Sequence, residues 1–240
     1  AKRSVFLAAY IFDDDEVGQK FSQELGAATE RGCDVRVLVD GIGELYSAPP
    51  IHRRLKALGV RYALFLPPRL WPPTLHVNLR NHRKILVVDG VTAFAGGMNI
   101  GERHLVGAGK RDAVVDMHFG FHGPVVTQIE SVFLQDWKFV SDEPQPTLTC
   151  APSGTSGAIC RALADGPEED LGRLTQVLVG AIGSARERVY VMTPYFLPPR
   201  ELLGTLQAAA LRGVAITVVL PGRSNLPYVH WATRHLLWEL

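Results

Sequence analysis

The residues best suited to chemistry lie between Asn81 and Gly101, NHRKILVVDGVTAFAGGMNIG. His82 and Lys84 stand two apart at the start of the apolar run Ile85 to Val88, which reads as a strand buried on both faces. That spacing puts an imidazole and an ammonium on one face of the strand. Asp89-Gly90 is a turn signal, Val91 to Ala95 reads as a second short strand, and Gly96-Gly97 ends it. Asn99 follows a glycine pair that lets backbone approach a ligand closely. Such a set suits phosphoryl transfer. Histidine can act as a nucleophile near neutral pH, lysine supplies a point charge for phosphate oxygens, and an asparagine amide adds a neutral donor. A His-X-Lys pair alone is usually a solvated strand edge, and the longer pattern raises it above that reading.

The elements around this stretch read as alternating strands and helices. Val5 to Phe12 is a buried-type strand, and Asp13 to Glu16 leads into a helix on which Val17, Phe21, Leu25 and Ala28 recur at helical spacing. The acidic run suits a helix N-terminus, where carboxylates complement the macrodipole. Val35 to Val39 is the next strand, Ile51 to Leu58 the next helix and Tyr62 to Leu66 a third strand. This order predicts an α/β fold with a largely parallel sheet. Pro67 to Pro73, with Arg69 and Trp71 in it, reads as a stiff loop, and Gly107 to Asp112 as a polar one. Val114 to Phe119 is expected to be a strand and Val125 to Phe139 an amphipathic helix. Ser141 to Gly157, rich in Pro, Ser, Thr and Gly, reads as a linker between a first lobe at 1–140 and a second at 158–240. The second lobe opens with a predicted strand, Ala158 to Ala164, and a helix from Glu168 to Ala185.

A net charge of +1 over 240 residues says nothing about partners, but the local distribution does. From Leu45 to Val88 there is no acid, against Arg53, Arg54, Lys56, Arg61, Arg69, Arg80, Arg83 and Lys84. An anionic substrate or surface is the expected counterpart. Cys33, Cys150 and Cys160 have no metal-ligand spacing and are expected to be reduced. No apolar run reaches the roughly 20 residues of a spanning helix, and no signal peptide opens the chain, so any membrane contact is expected to be peripheral.

H-x-K-x(4)-D followed by G-G-x-N resembles the signature of the phospholipase D superfamily, with His82, Lys84, Asp89, Gly97 and Asn99 in the matching places. AAYIFDDDEVGQKF, RVLVDGIG, the Gly123-Pro124 helix start, TPYFLPP and LRGVAITVVLPGRSN extend the resemblance over nearly the whole chain, toward bacterial phospholipase D-type cardiolipin synthases. Many members carry Ser where Gly97 stands, so a hydroxyl contact is absent here. The resemblance implies transfer of a phosphatidyl group between phospholipid and phosphatidylglycerol or a related alcohol through a phosphohistidine, with no metal and no cofactor. His82 would be a nucleophile, although the histidine of either lobe can hold that role. Lys84 and Asn99 would hold phosphate oxygens, and Gly97 would lie against the substrate. Asp89, seven residues past His82 at a strand turn, suits a structural role better than contact with phosphorus. Asp116, in a D-x-H with His118, is the candidate to orient His82. The implied location is the cytoplasmic side of a bacterial membrane, with anionic phospholipid as partner, nucleic acid disfavoured and oligomeric state open. A nuclease-type phosphodiesterase and a lobe that binds anionic lipid without turnover are the alternatives.

The chain also repeats itself. FSQELGAATERGCDVRVLVDG resembles LLGTLQAAALRGVAITVVLPG, with Arg31-Gly32 matching Arg212-Gly213 and Val5 to Tyr10 matching Val189 to Tyr195. A phospholipase D-like pair of pseudo-symmetric lobes, mostly parallel sheets flanked by helices, follows, with the second lobe incomplete. The same offset places a second signature histidine near position 263, and residues before Ala1 are expected as well. The resemblance implies one active site built from two H-x-K motifs, so this chain is expected to be either a fragment or half a site that needs another copy.

Overall fold

Val5 to Ala9 is apolar at every position because β1 (Ser4–Ala9) lies in the middle of a sheet with helices on both sides. The computed structural model of the chain describes residues 1–70, 73–74, 79–105, 113–148, 157–165, 172–222 and 226–239. They fall into two units, Ala1–Ala162 and Leu163–Leu240.

In the first unit β1 is followed by α1 (Glu16–Glu30), β2 (Asp34–Asp40), α2 (Ile51–Ala57) and β3 (Arg61–Phe65). Asp15 caps α1 by accepting from the N–H groups of Val17 and Gly18 at 3.0 Å, so the acidic run serves as a helix N-terminus. Two-residue strands β4 (Arg69–Leu70) and β5 (Pro73–Thr74) pair with each other inside the proline-rich stretch expected to be loop, while Trp71 lies outside the described residues. Then come β6 (Ile85–Val88), β7 (Thr92–Gly96), β8 (His118–His122) and α3 (Val125–Val140). The main sheet has the order β3-β2-β1-β6-β7-β8.

The fold is α/β, a central sheet flanked by helices, but the sheet is mixed rather than largely parallel. β1, β2 and β3 are parallel, as the helical crossovers require, whereas β6 runs antiparallel to β1, β7 to β6 and β8 to β7. Among the described residues no helix separates β3 from β6, so the chain re-enters the sheet from the edge it left and must run back. The Asp89-Gly90 turn then folds β6 directly onto β7.

Two apolar layers hold the sheet. α1 and α2 bring Leu25, Ala28, Ile51 and Leu55 against Val5, Leu7, Val35 and Val37. α3 brings Val126, Ile129, Phe133 and Trp137 against Phe6, Ala8, Ile85 and Val87, and the Phe6 and Phe133 rings stack at 5.2 Å between centroids. Each fully buried large side chain contributes about 1.5–3 kcal/mol.

Two expected strands are corrected. β8 begins at His118 rather than at Val114, because Gly96 pairs with His118 and Phe94 with Gly120, leaving Asp116 in the segment that leads into the strand. Ala158 to Ala164 forms no strand: Ile159 is fully exposed and Ala162 donates its N–H to Gln128 Oε1 at 2.9 Å, with no ladder partner among the described residues. The expected loop at Gly107 to Asp112 and the expected helix start at Glu168 lie outside the described residues.

The second unit comprises α4 (Arg173–Ser184), β9 (Arg188–Met192), α5 (Arg200–Leu211), β10 (Ala215–Val219) and α6 (Pro227–Leu236). β9 and β10 are parallel. Ile182, Phe196, Leu206, Ala209 and Val214 form its core. Among the described residues no helix of either unit is long and apolar enough to cross a membrane.

Candidate active site

In the parallel half of the sheet Tyr10, Asp40 and Leu66 follow the carboxyl ends of β1, β2 and β3 or close them. Because β6 runs antiparallel to β1, the residues preceding it reach the same edge, where α/β sheets place their ligands. His82 and Lys84 therefore meet Tyr10. They are not in the strand, as the sequence suggested, since β6 starts at Ile85.

Residues 80 to 84 are held by side-chain anchors rather than by a ladder. The Arg80 guanidinium lies 2.9 Å from Asp40 Oδ1 and donates to the carbonyls of Phe65 and Leu66. The Asn81 N–H donates to Asp40 Oδ2 at 2.9 Å, and its Nδ2 donates to Asp136 Oδ2 of α3. Arg83 pairs with the same Asp136. Asp40 has no exposed surface and also accepts from the N–H groups of Ile42 and Gly43. With Asn81 and Arg83 tied to Asp136 on α3 and Arg80 to Asp40, His82 and Lys84 are left for the site.

The His82 ring stacks on Tyr10 with centroids 3.9 Å apart and 30° between planes. Lys84 Nζ lies 5.2 Å from the Tyr10 centroid and donates to the His82 carbonyl at 2.7 Å. Desolvation, then the Lys84 ammonium, holds the His82 pKa below the ordinary histidine value, which favours the neutral, nucleophilic form. Burial pushes the Lys84 pKa down, opposed by the carboxylates of Asp116 and Asp40, which favour its charge. Asn99 Oδ1 accepts the Ile11 N–H at 3.2 Å, which fixes the amide, while its Nδ2 has no protein partner among the described residues. Lys84, Asn99 and His118 line a common cavity.

Asp89 is not part of this cluster. It lies at the other end of β6, at φ 56°, and its carboxylate accepts from the N–H groups of Lys2, Arg3 and Ser4 at 2.7–3.0 Å. It closes the entry to β1, so it serves the sheet rather than the His82–Lys84 cluster. The role expected of Asp116 is corrected. Its charge acts on Lys84, His104 and His118, and among the described residues no hydrogen bond links it to His82. Gly97 is what admits it: a Cβ at Gly97 would lie 2.3 Å from Asp116 Oδ1. The absent side chain is thus filled by a carboxylate that faces the lysine.

The basic stretch is also less free than its composition suggests. Arg54 pairs with Asp14, Arg61 with Asp34 and Glu143, Arg80 with Asp40 and Arg83 with Asp136. Every one of these acids lies outside residues 45–88, and the fold brings them in. Tyr10 and the Asp40–Arg80 pair were missed in the sequence. An aromatic residue at the carboxyl end of a parallel strand was the available signal for the first; the second had none. Among the described residues no group of three or more His, Cys, Asp and Glu could hold a metal ion.

Residues 1–137 and 178–240 match the family described as cardiolipin synthase, PLD-like domain. The chain is 30% identical to the major cardiolipin synthase ClsA of Bacillus subtilis (strain 168) over 246 residues, covering 100% of this chain and 51% of that protein. It is 34% identical to cardiolipin synthase A of Pseudomonas fluorescens (strain SBW25), over 97% of this chain and 49% of that one. The chain thus spans about half the length of the curated relatives it matches. The crystal structure of phosphatidylserine synthase from Haemophilus influenzae Rd KW20 shares the fold, with a TM-score of 0.59 at 16% identity over 92% of this chain and 56% of that one. By the match over both units, this chain belongs to the cardiolipin synthase, phospholipase D-like domain family.

Proposed function

We propose that this chain provides one half of the active site of a phosphatidyltransferase that makes cardiolipin or a closely related lipid. The observation that carries this is the convergence of His82 and Lys84 on Tyr10, with His82 held toward its neutral form. His82 attacks the phosphorus of a phospholipid, forming an N–P bond as the P–O bond to the leaving alcohol breaks. A proton for that alkoxide, and removal of the proton from the incoming alcohol, come from a second histidine outside residues 1–240. Lys84 and the Asn99 amide hold the equatorial oxygens as charge develops on them. Asp116 keeps Lys84 charged in its partly desolvated place. The enzyme works at the cytoplasmic side of a bacterial membrane by peripheral contact.

The test is lipid product analysis with the full-length protein and phosphatidylglycerol as sole lipid. Cardiolipin and free glycerol are expected, and His82→Ala abolishes both. Release of phosphatidic acid without cardiolipin, or hydrolysis of a nucleic acid instead, would replace the reading by that of a phosphodiesterase.

A further inference from the structure

A cavity of about 370 Å³ opens beside Lys84, on the face of the sheet that carries α1. Its wall is apolar, with Leu86, Phe94, Ile100 and Leu105, and its volume is within the range of small-molecule sites. Lys84 and Asn99 are part of the same wall, so the apolar space adjoins the groups assigned to the phosphate. His104 is an independent observation. It is 6% exposed, yet neither ring nitrogen has a partner among the described residues. Native structures rarely leave such a buried group unpaired, and a ligand atom relieves the cost. Burial, then Arg103, lowers its pKa, so the ring is neutral, with one N–H donor and one acceptor.

We infer that this cavity is the subsite for one fatty acyl chain of the phospholipid, with His104 donating to the ester carbonyl of that chain while the phosphodiester lies at His82 and Lys84. The inference rests on the proposed phosphatidyl transfer and adds where the lipid's apolar part goes. The lining selects the occupant. An anionic phosphate suits Lys84, the carbonyl suits an orphaned imidazole at the start of the chain, and beyond Lys84, Asn99, His104 and His118 the wall offers apolar surface. A sugar or a base in the same place would set most of its hydroxyls or ring nitrogens against the apolar side chains of Leu86, Phe94, Ile100 and Leu105.

The experiment uses the full-length protein and phosphatidylglycerol donors presented at fixed mole fraction in mixed micelles. Leu105→Trp fills the cavity from its exposed rim. Each methylene excluded from an apolar site costs about fourfold in binding. The variant is therefore expected to lower kcat/KM for a dimyristoyl donor at least tenfold more than for a dihexanoyl donor. Equal losses on the two donors overturn the acyl subsite. His104→Leu supplies the second arm. Wild type is expected to prefer an ester-linked donor over its ether-linked analogue several-fold, and the variant to lose that preference. A preference that survives in the variant overturns the carbonyl contact. Absence of phosphatidyl transfer by the wild-type protein is a different outcome, which removes the proposed function itself.

Discussion

Two stretches of this chain share one design and differ in how they are finished. β1-α1-β2 and β9-α5-β10 are each a strand, a helix and a parallel strand. Both helices end in the same way: Gly32 at φ 82° and Gly213 at φ 88° follow Arg31 and Arg212, and the next N–H reaches back to the helix, Cys33 to the Ala28 carbonyl and Val214 to that of Ala209. α5 is three residues shorter than α1, 12 against 15, and the pairing shifts by the same three, with Ser4 opposite Asp34 and Arg188 opposite Ala215. The surroundings differ. β1 and β2 are buried almost throughout, whereas β9 and β10 alternate exposed and half-buried residues. Where Asp40 ends β2 and binds Arg80 and Asn81, the repeat has Pro221. The shared half supplies a scaffold. Chemistry enters with the segment that lies antiparallel on the first strand, and in the second unit no strand among the described residues takes that place.

The largest expected effect breaks the comparison at its functional end. His82→Ala in the full-length protein is expected to lower phosphatidyl transfer by several orders of magnitude with an unchanged thermal unfolding profile, since the proposed covalent path would be gone. Next comes the repeat position itself. Asp40→Ala removes the carboxylate that balances the buried Arg80 guanidinium and is expected to cost about 3–5 kcal/mol in denaturant unfolding. Pro221→Ala, exposed at the matching site, is expected to stay within about 0.5 kcal/mol. Equal losses would mean that the two ends do the same work. Tyr10→Leu removes a ring that supports both His82 and Lys84. A ring contact contributes about 0.5–1.5 kcal/mol and a cation over a ring about 0.5–1 kcal/mol, so kcat/KM is expected to fall about tenfold, while Tyr10→Phe stays near wild type.

The pH profile is a finer probe. A lowered pKa keeps His82 neutral at lower pH, so the acidic limb of kcat/KM is displaced below the ordinary histidine value of about 6.5. At about one pH unit below that value the enzyme is expected to retain more than the roughly one-tenth left to an unperturbed histidine. Lys84→Met removes a neighbouring positive charge and is expected to move the limb of any residual activity upward. The last probe sharpens what the two stretches share: Gly32→Ala and Gly213→Ala should each cost about 1–2 kcal/mol, the strain of a left-handed residue with a side chain. A clear inequality would show that the turns are not equivalent.

What could be read from the sequence was local. The signature from His82 to Asn99, the cap at Asp15 and the Arg-Gly helix ends depend on neighbours a few residues away, and the α/β alternation follows from period alone. What could not be read was pairing at a distance. The eight basic residues between Leu45 and Val88 read as a cationic surface because Asp14, Asp34, Asp40, Asp136 and Glu143 belong to other segments. The run from Ala158 to Ala164 has the composition of a strand, but a strand needs a partner, and composition does not supply one. Asp116 fell in the middle of an expected strand because the register of β8 is fixed by Gly96 and Phe94 rather than by its own residues.

The anchoring of residues 80, 81 and 83 bears on how the site meets its substrate. A segment outside a sheet ladder ordinarily keeps its backbone freedom until a ligand arrives, and ordering each residue then costs about 1–2 kcal/mol of conformational entropy. Here Asp40 and Asp136 remove that freedom during folding, before any substrate is present. His82 and Lys84 are then presented on a fixed backbone, and little of the free energy gained on contact with the proposed phosphodiester substrate would be spent on ordering the loop. Loosening either carboxylate would therefore show itself as weaker substrate capture even where the protein stays folded and both reactive side chains remain in place.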